Sequence, residues 1–128
     1  MANRRKISEA EEQIMAIIWS CARPVTTAEI LARLPEDKNW KPNTVITFLA
    51  RLMDKGMVRA TRVGRAYQYE ACMTEQEYRN LETRRFIRDV HKGSVFGLIS
   101  ALCDSGDLTQ EDIEGLMKLL QEQRGRHE

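Results

Sequence analysis

The segment from Trp40 to Tyr69 constrains the fold more than any other part of the chain. Its sequence, WKPNTVITFLARLMDKGMVRATRVGRAYQY, predicts a helix, a glycine stop and a two-stranded hairpin. Pro42 suits the first helical position because its fixed φ is already helical, and Gly56 supplies the residue after the helix end. The apolar stripe of this helix is predicted to consist of Val45, Leu49, Leu52 and Met53.

Two shorter helices are predicted before this segment. Ser8 with Glu11, and Thr26 with Glu29, have the spacing of a capping box, which marks a helix start. In the hairpin, residues 57–62 and 66–72 read as strands around a turn at Gly64, and Tyr67 and Tyr69 are expected to cover the base of the third helix. The order of three helices and a hairpin is that of a winged helix-turn-helix.

Three further helices are predicted after the hairpin: one from Thr74 to about His91, a short apolar one from Val95, and one capped by Thr109. The predicted fold class is therefore mainly α with a small β-hairpin. We expect a winged-helix domain over residues 1–72 and a helical dimerisation domain over residues 73–128.

The tail of about 50 residues could hardly fold alone, because so small a segment lacks a sufficient core. It must pack on the winged domain or on a second copy of itself, and the short apolar helix is the strongest candidate for a subunit interface. The candidate interface residues are Val95, Phe96, Leu98, Ile99, Leu102, Ile113, Leu116, Met117 and Leu120.

The face of the third helix away from its apolar stripe is polar. Asn43, Thr44 and Thr47 lie on it and could bond base edges in a DNA groove, whereas Arg51 is better placed for a phosphate. Arg62 and Arg65 flank the hairpin turn and are expected on the DNA backbone. The candidate DNA-binding residues are Lys41, Asn43, Thr44, Thr47, Arg51, Arg62 and Arg65.

The net charge of +1 hides an asymmetry between the two halves of the chain. Residues 1–72 contain 12 basic and 8 acidic side chains, a net charge of +4, and residues 73–128 contain 8 and 11, a net charge of −3. Between Lys41 and Arg65 there are six basic residues and one acid, Asp54. This concentration of positive charge favours a double-stranded DNA partner, although a solvated face could carry it too.

Other functional classes find little support in the sequence. No nucleophile motif or glycine-rich phosphate loop occurs, so we expect no enzyme. The cysteines Cys21, Cys72 and Cys103 are far apart and form no metal-binding pattern, so no metal or other cofactor is expected. The N-terminal segment MANRRKISEAEE has no apolar run, and no stretch is long enough to cross a bilayer. A cytoplasmic protein without direct membrane binding is expected.

Several segments resemble the penicillinase-repressor (BlaI/MecI) family of winged-helix regulators: ISEAEEQIMAIIW, NWKPNTVITFLARLMDKGMV, GRAYQY, HKGSVFGLISAL and DLTQEDIEGLMKLL. The resemblance covers residues 7–123. It implies a homodimeric repressor that binds palindromic operators, often of β-lactam resistance genes. It also implies release through a membrane-bound sensor protease pathway that cuts the dimerisation region. Thr44, Thr47 and Arg51 match the DNA-contacting helix of the family, and Arg65 matches its wing.

The chain departs from the family pattern at three places. Ile46 stands where relatives often have a basic residue, which leaves the operator preference open. Ala101 and Leu102 stand where well-studied relatives have a cleaved Asn-Phe bond, which makes them a candidate proteolytic site and leaves a different protease, a different cut or no cut open. The C-x-C tail of the related copper-responsive repressors is absent, which argues against copper sensing.

Two alternative functions stay open at this point. A winged helix can serve as a scaffold for protein interactions, since fold does not fix function. A thiol-based redox regulator is the second alternative, with Cys103 in the expected dimer interface.

Overall fold

The computed structural model describes residues 6–127. Residues 1–5 and residue 128, and with them part of the segment MANRRKISEAEE, lie outside the described residues. Six helices and one antiparallel hairpin confirm the predicted fold class. The elements in chain order are α1 (Glu9–Ser20), α2 (Thr27–Arg33), α3 (Pro42–Asp54), β1 (Val58–Val63), β2 (Ala66–Ala71), α4 (Glu75–Val90), α5 (Val95–Ser105) and α6 (Gln110–Arg126).

The helix starts follow the capping signals in the sequence. At α1 the Glu11 backbone N–H donates to the Ser8 hydroxyl, and the Ser8 backbone N–H donates to the Glu11 carboxylate. The same reciprocal pair forms at Thr26 and at Thr109. Each box satisfies two backbone donors that a helix start would leave unpaired, which is why the sequence fixes these boundaries closely.

The hairpin pairs Val58 with Ala71 at its open end and Val63 with Ala66 next to the turn. Gly64 has φ +65°, and a glycine with positive φ at the first of two turn positions is the type II′ pattern that suits a twisted hairpin. A third extended segment joins this sheet: Val25 and Tyr69 exchange backbone hydrogen bonds of 3.0 and 2.7 Å. This bridge ties the start of α2 to β2.

The core of the winged unit is formed by one face of each of its elements. Val45, Leu49 and Leu52 of α3 are fully buried. They lie in one cluster with Ile7, Ile14, Met15, Ile18, Val25, Ile30, Met57, Val58, Tyr69 and Tyr78. A Leu49→Ala or Leu52→Ala change would cost about 2–5 kcal/mol by lost transfer energy and the cavity left behind.

One residue of the predicted apolar stripe of α3 is not buried. Met53 is exposed, because it lies at the edge of the α3 stripe, and Phe48 instead packs against Trp40 with 5.1 Å between ring centroids. Tyr69 is buried as predicted, but Tyr67 is half exposed. The hairpin extends beyond the core at Tyr67, so the shared face of the two tyrosines is covered only at its inner end.

The chain divides into two compact units between Arg79 and Asn80, within α4. The boundary predicted from the sequence lies before α4, after residue 72. The first turn of α4 belongs with the winged unit because Tyr78 is buried there: its hydroxyl donates to Glu12 (2.9 Å) and its ring lies 5.4 Å from Trp19. Trp19 in turn donates its indole N–H to the Met73 carbonyl at 3.0 Å.

Candidate nucleic-acid interface

The outer face of α3 carries the polar residues that were predicted to meet DNA. Asn43 and Thr47 are exposed and Thr44 is half-buried, on the side of the helix away from the buried stripe. Lys41 occupies the N-cap position and its side chain makes no capping bond. The first two turns of α3 therefore present an amide, two hydroxyls and a cation to solvent.

The hydroxyl of Thr47 is not fully available to a ligand. It donates to the Asn43 backbone carbonyl at 2.9 Å, a bond between residues four apart in the helix. In this rotamer the oxygen can still accept a hydrogen bond, and the methyl group is free for an apolar contact. Thr47 is thus suited to accept from an exocyclic amino group of adenine or cytosine rather than to donate to guanine.

The six basic residues between Lys41 and Arg65 divide into two groups. Lys55 and Arg59 are neutralised by Glu11 and Glu70, at 2.6 and 3.2 Å. The other four are exposed, and none forms an ion pair within the described part of the chain; they are Lys41, Arg51, Arg62 and Arg65. These four are the cations that the sequence analysis assigned to DNA.

Lys55 has a structural role instead. Its side chain is 15% exposed and that of Glu11 only 2%, and the lysine also donates to the Lys6 carbonyl at 3.0 Å. Burial alone would raise the pKa of the Glu11 carboxyl, but hydrogen bonds from Lys55 and the Ser8 backbone, with the lysine charge, lower that pKa overall. The charge of Lys55, which the sequence analysis counted in the basic segment between Lys41 and Arg65, is thus balanced within the winged unit.

Two of the unpaired arginines are held by weak local contacts. The Arg51 guanidinium lies 5.7 Å from the centroid of the Phe48 ring, a cation–π geometry. The Arg62 Nε donates to the Gly64 carbonyl at 3.2 Å across the hairpin turn. Such contacts orient a side chain without neutralising its charge, so both arginines remain available to an anion.

The second unit, residues 80–127, has a different surface. None of its described residues is buried. The predicted interface residues fall into an exposed set (Val95, Phe96, Ile113, Met117 and Leu120) and a half-buried set (Leu98, Ile99, Leu102 and Leu116). Phe96 is 81% exposed. Large apolar side chains are therefore exposed on both α5 and α6.

The remaining candidate positions also lie in α5. Ala101 is exposed and Leu102 is half-buried, both inside the helix, so a protease would need that helix to unwind locally. Cys103 is free and exposed. In the described part of the chain no cluster of three or more potential metal ligands occurs. Nor does any described helix combine the length and apolarity needed to span a membrane.

Comparison with known proteins decides the family. The sequence profile named penicillinase repressor matches residues 7–122. The chain belongs to the penicillinase repressor family. It is 27% identical to the penicillinase repressor of Bacillus licheniformis over 94% of both chains. It is 30% identical to the methicillin resistance regulatory protein MecI of Staphylococcus aureus, over 90% of this chain and 93% of MecI.

Solved structures of the family match the winged unit. The DNA-binding domain of the repressor BlaI is 32% identical, with a TM-score of 0.52, over 61% of this chain and 94% of that domain. The monomeric form of Bacillus licheniformis BlaI in complex with the blaP half-operator matches with a TM-score of 0.50 at 32% identity, over 61% of this chain and 94% of that chain. Members of this family are DNA-binding transcriptional repressors and not enzymes, which confirms the predicted class.

Sequence reasoning missed three features of this surface. The ion pairs of Lys55 and Arg59 were not predicted, and the Glu11 partner of Lys55 lies 44 residues away in the sequence. The bond from Thr47 to Asn43 was missed although the i, i+4 spacing signalled it. A groove beside Ile46 was also missed, because the three elements that line it (α2, α3 and β2) meet only in the folded chain.

Proposed function

We propose that the chain is a homodimeric repressor that occupies a palindromic DNA operator and so blocks transcription. The observation that carries this proposal is the sorting of charge in the winged unit of a repressor-family chain. Four exposed cations form no ion pair among the described residues: Lys41 and Arg51 belong to α3, which carries the polar face, and Arg62 and Arg65 lie at the hairpin turn. The BlaI complex with a half-operator supports DNA as the partner of a winged unit of this kind.

In the proposed complex α3 enters the major groove with its first two turns towards the bases. Asn43 and Thr47 would bond base edges, and Thr44, which is half-buried, would lie at the edge of the groove. Lys41 and Arg51 would contact phosphates on either side. Arg62 and Arg65 at the hairpin turn would lie on the adjacent backbone, where they add affinity and salt dependence but little sequence preference.

The second unit would join two chains through α5 and α6. A two-fold dimer places two winged units on two half-sites, and the symmetry of the protein then matches that of the palindrome. The apolar side chains of Phe96, Ile99 and Met117 would lose their exposure on dimerisation. Burying each large apolar side chain contributes about 1.5–3 kcal/mol, so a few suffice for a stable dimer.

The target genes in this proposal are antibiotic-resistance genes of the β-lactamase type, since relatives are named for penicillinase and methicillin resistance. Repression would be relieved in the cytoplasm through a membrane-bound sensor protease pathway. Cleavage between Ala101 and Leu102 would cut α5 and remove the dimer interface. DNA occupancy would then fall because a single winged unit holds only one half-site.

A mobility-shift titration of the full chain tests the proposal. The probes are duplexes from the promoter region of its own gene that contain inverted repeats, with a scrambled duplex of equal base composition as the control. We expect a saturable complex with at least one inverted repeat, weakened as salt rises. Equal affinity for repeat and scrambled duplex, or no complex at low salt, would overturn the proposal.

A further inference from the structure

An uncharged groove lies beside the polar face of α3. It has a volume of about 500 Å³ and is open to solvent. The start of α2, the middle of α3 and strand β2 contribute its walls, which consist of Thr26, Thr27, Ala28, Ile46, Ala66, Tyr67 and Tyr69. We call it the α3–wing groove. All of its lining residues belong to the winged unit.

Two large side chains in this groove are only half covered. Ile46 is 47% exposed and Tyr67 is 50% exposed. A single exposed isoleucine on a protein surface is ordinary. Here, however, Ile46 lies one residue before Thr47 and three after Asn43, so it borders the surface that the proposed function assigns to base edges.

The chemistry of the groove excludes a phosphate as its natural ligand. None of its lining residues is charged; Arg62 lies opposite Tyr67 on the neighbouring strand, but it does not line the groove and its Nε donates to the Gly64 carbonyl at the turn. Ile46 has no donor or acceptor in its side chain, so it can recognise a base only by apolar contact. In the major groove the apolar group on a base edge is the C5-methyl of thymine.

We propose that Ile46 reads a thymine methyl in each half-site, with Tyr67 as the opposite wall of the α3–wing groove. This inference rests on the proposed function, because it assumes that α3 enters the major groove. It names one specificity-determining contact: a thymine is preferred over cytosine at the position that faces Ile46, through shape and methyl burial rather than through a hydrogen bond.

Replacement of dT by dU tests this contact, because uracil keeps the hydrogen-bonding groups of thymine and lacks only the methyl. A palindrome bound by the full chain is first selected from a random duplex pool. Each dT is then replaced by dU, in both half-sites at once. We expect one position at which affinity falls about fourfold per half-site, the equivalent of about 0.8 kcal/mol for one buried methyl group.

The variant Ile46→Ala tests whether Ile46 is the residue that contacts the thymine methyl. It should bind the dT duplex more weakly than the unaltered chain and be indifferent to dU at the sensitive position. Ile46→Val should keep part of that sensitivity. The matched control is Val63→Ala. Val63 is also an exposed β-branched residue, but it lies in strand β1 and does not line the α3–wing groove, so this variant should keep the same sensitivity to dU as the unaltered chain. Thermal unfolding of each variant confirms that it is folded.

The outcomes separate this inference from the proposed function. Tight binding that ignores every dT→dU replacement overturns the inference alone, since the apolar contact would then be to sugar or to no DNA group. A dU effect that persists in Ile46→Ala overturns it as well, because another residue must read the methyl. If no palindrome is selected from the pool, the proposed function fails, and the inference fails with it.

Discussion

The two units of this chain use their apolar residues in opposite ways. Among the described residues of the winged unit thirteen hydrophobic side chains are buried, and all of them lie at or before Tyr78. From Asn80 to His127 none is buried, although α5 is among the most apolar segments of the sequence. The winged unit therefore has a core of its own, whereas the large apolar side chains of α5 and α6 are exposed, as the proposed dimer requires.

The same contrast holds for charge. In the winged unit the ion pair of Lys55 and Glu11 fastens the start of α1 to the end of α3, whereas Lys41, Arg51, Arg62 and Arg65 are exposed and form no ion pair among the described residues. The cation that holds the fold, Lys55, is thus a different residue from the four cations that we propose to contact DNA.

The largest effect is expected from Phe96→Asp in the second unit. Burial of Phe96 should contribute about 1.5–3 kcal/mol in each copy of a two-fold dimer. The dissociation constant of the dimer should then rise at least about a hundredfold, since each 1.4 kcal/mol is a factor of ten. Sedimentation equilibrium of the full chain and of the variant, both without DNA, measures this dissociation constant.

A neighbouring pair in α6 provides the control for that experiment. Leu119 and Leu120 are similarly exposed, at 51% and 59%, but only Leu120 shares the helix face of Ile113 and Met117. Leu120→Asp should dissociate the dimer and Leu119→Asp should not. Equal effects of the two, or an intact Phe96→Asp dimer, would move the interface elsewhere.

The variant Lys55→Met sharpens the distinction between structural and ligand-binding charge. It leaves the nearly inaccessible carboxylate of Glu11 without its cation, which should lower the free energy of unfolding by about 3 kcal/mol. Urea unfolding at a fixed protein concentration measures the loss. The salt dependence of DNA binding should be unchanged.

Lys41→Met is the matched control because Lys41 is exposed and unpaired. Its free energy of unfolding should stay within about 0.5 kcal/mol of that of the unaltered chain, as is usual for surface substitutions. Its affinity for DNA should decrease. A small decrease in the free energy of unfolding of Lys55→Met, accompanied by weaker DNA binding, would indicate that Lys55 contacts DNA. It would contradict the distinction between structural and DNA-binding cations.

On the hairpin, Arg65→Ala should weaken binding to all duplexes alike. The slope of log affinity against log salt should fall by about one for each winged unit, because one phosphate contact is lost. Arg59→Ala, on the same hairpin but paired with Glu70, should leave the slope unchanged. If Arg65→Ala alters preference at a single base position, the arginine reads a base and the backbone assignment is wrong.

The smallest expected effect is the loss of folding stability at low pH. We expect carboxylates of the winged unit to account for most of it. A hydrogen bond from Arg23, with one from the Thr26 backbone, lowers the pKa of Glu29 to about 2, and the pKa of Glu11 is also lowered. A carboxylate with a lowered pKa stabilises the fold above its ordinary pKa of 4.5, and this contribution is lost as pH falls towards 2.

Thermal midpoints of the full chain between pH 6 and pH 2 measure this loss. Glu29→Gln should reduce the midpoint at pH 6 and flatten part of its decline below pH 4.5. Glu36→Gln, on the exposed loop before α3, should keep the full decline. An unchanged acid profile in Glu29→Gln would show that the ion pair with Arg23 contributes nothing to stability.

Local features of this fold were predictable because they depend on neighbours in the chain. The capping boxes at Ser8, Thr26 and Thr109 fixed three helix starts, and Gly56 and Gly64 marked the ends of α3 and of β1. The outer face of α3 followed from its helical period. The resemblance to the family added the expectation of a dimer, which the exposed apolar residues of α5 and α6 support.

Features that join distant residues were not predictable from one sequence. The bridge between Val25 and Tyr69, and the ion pair between Lys55 and Glu11, span more than forty residues each and leave no periodic trace. The α3–wing groove needs Ile46 and Tyr67 to meet, which neither helical nor strand period encodes. The half exposure of Tyr67 was not predictable for the same reason, since only the fold shows where the core ends.

The central claim is that the winged unit binds DNA and the second unit joins two chains. The most direct test compares the affinity of the chain for a single half-site with its affinity for the whole palindrome. Native mass spectrometry and titration of the full chain should show two chains on a palindrome. Phe96→Asp should lose affinity for the palindrome yet bind an isolated half-site as well as the unaltered chain does. A single chain on the palindrome, or an equal loss of affinity for the half-site, would contradict the account.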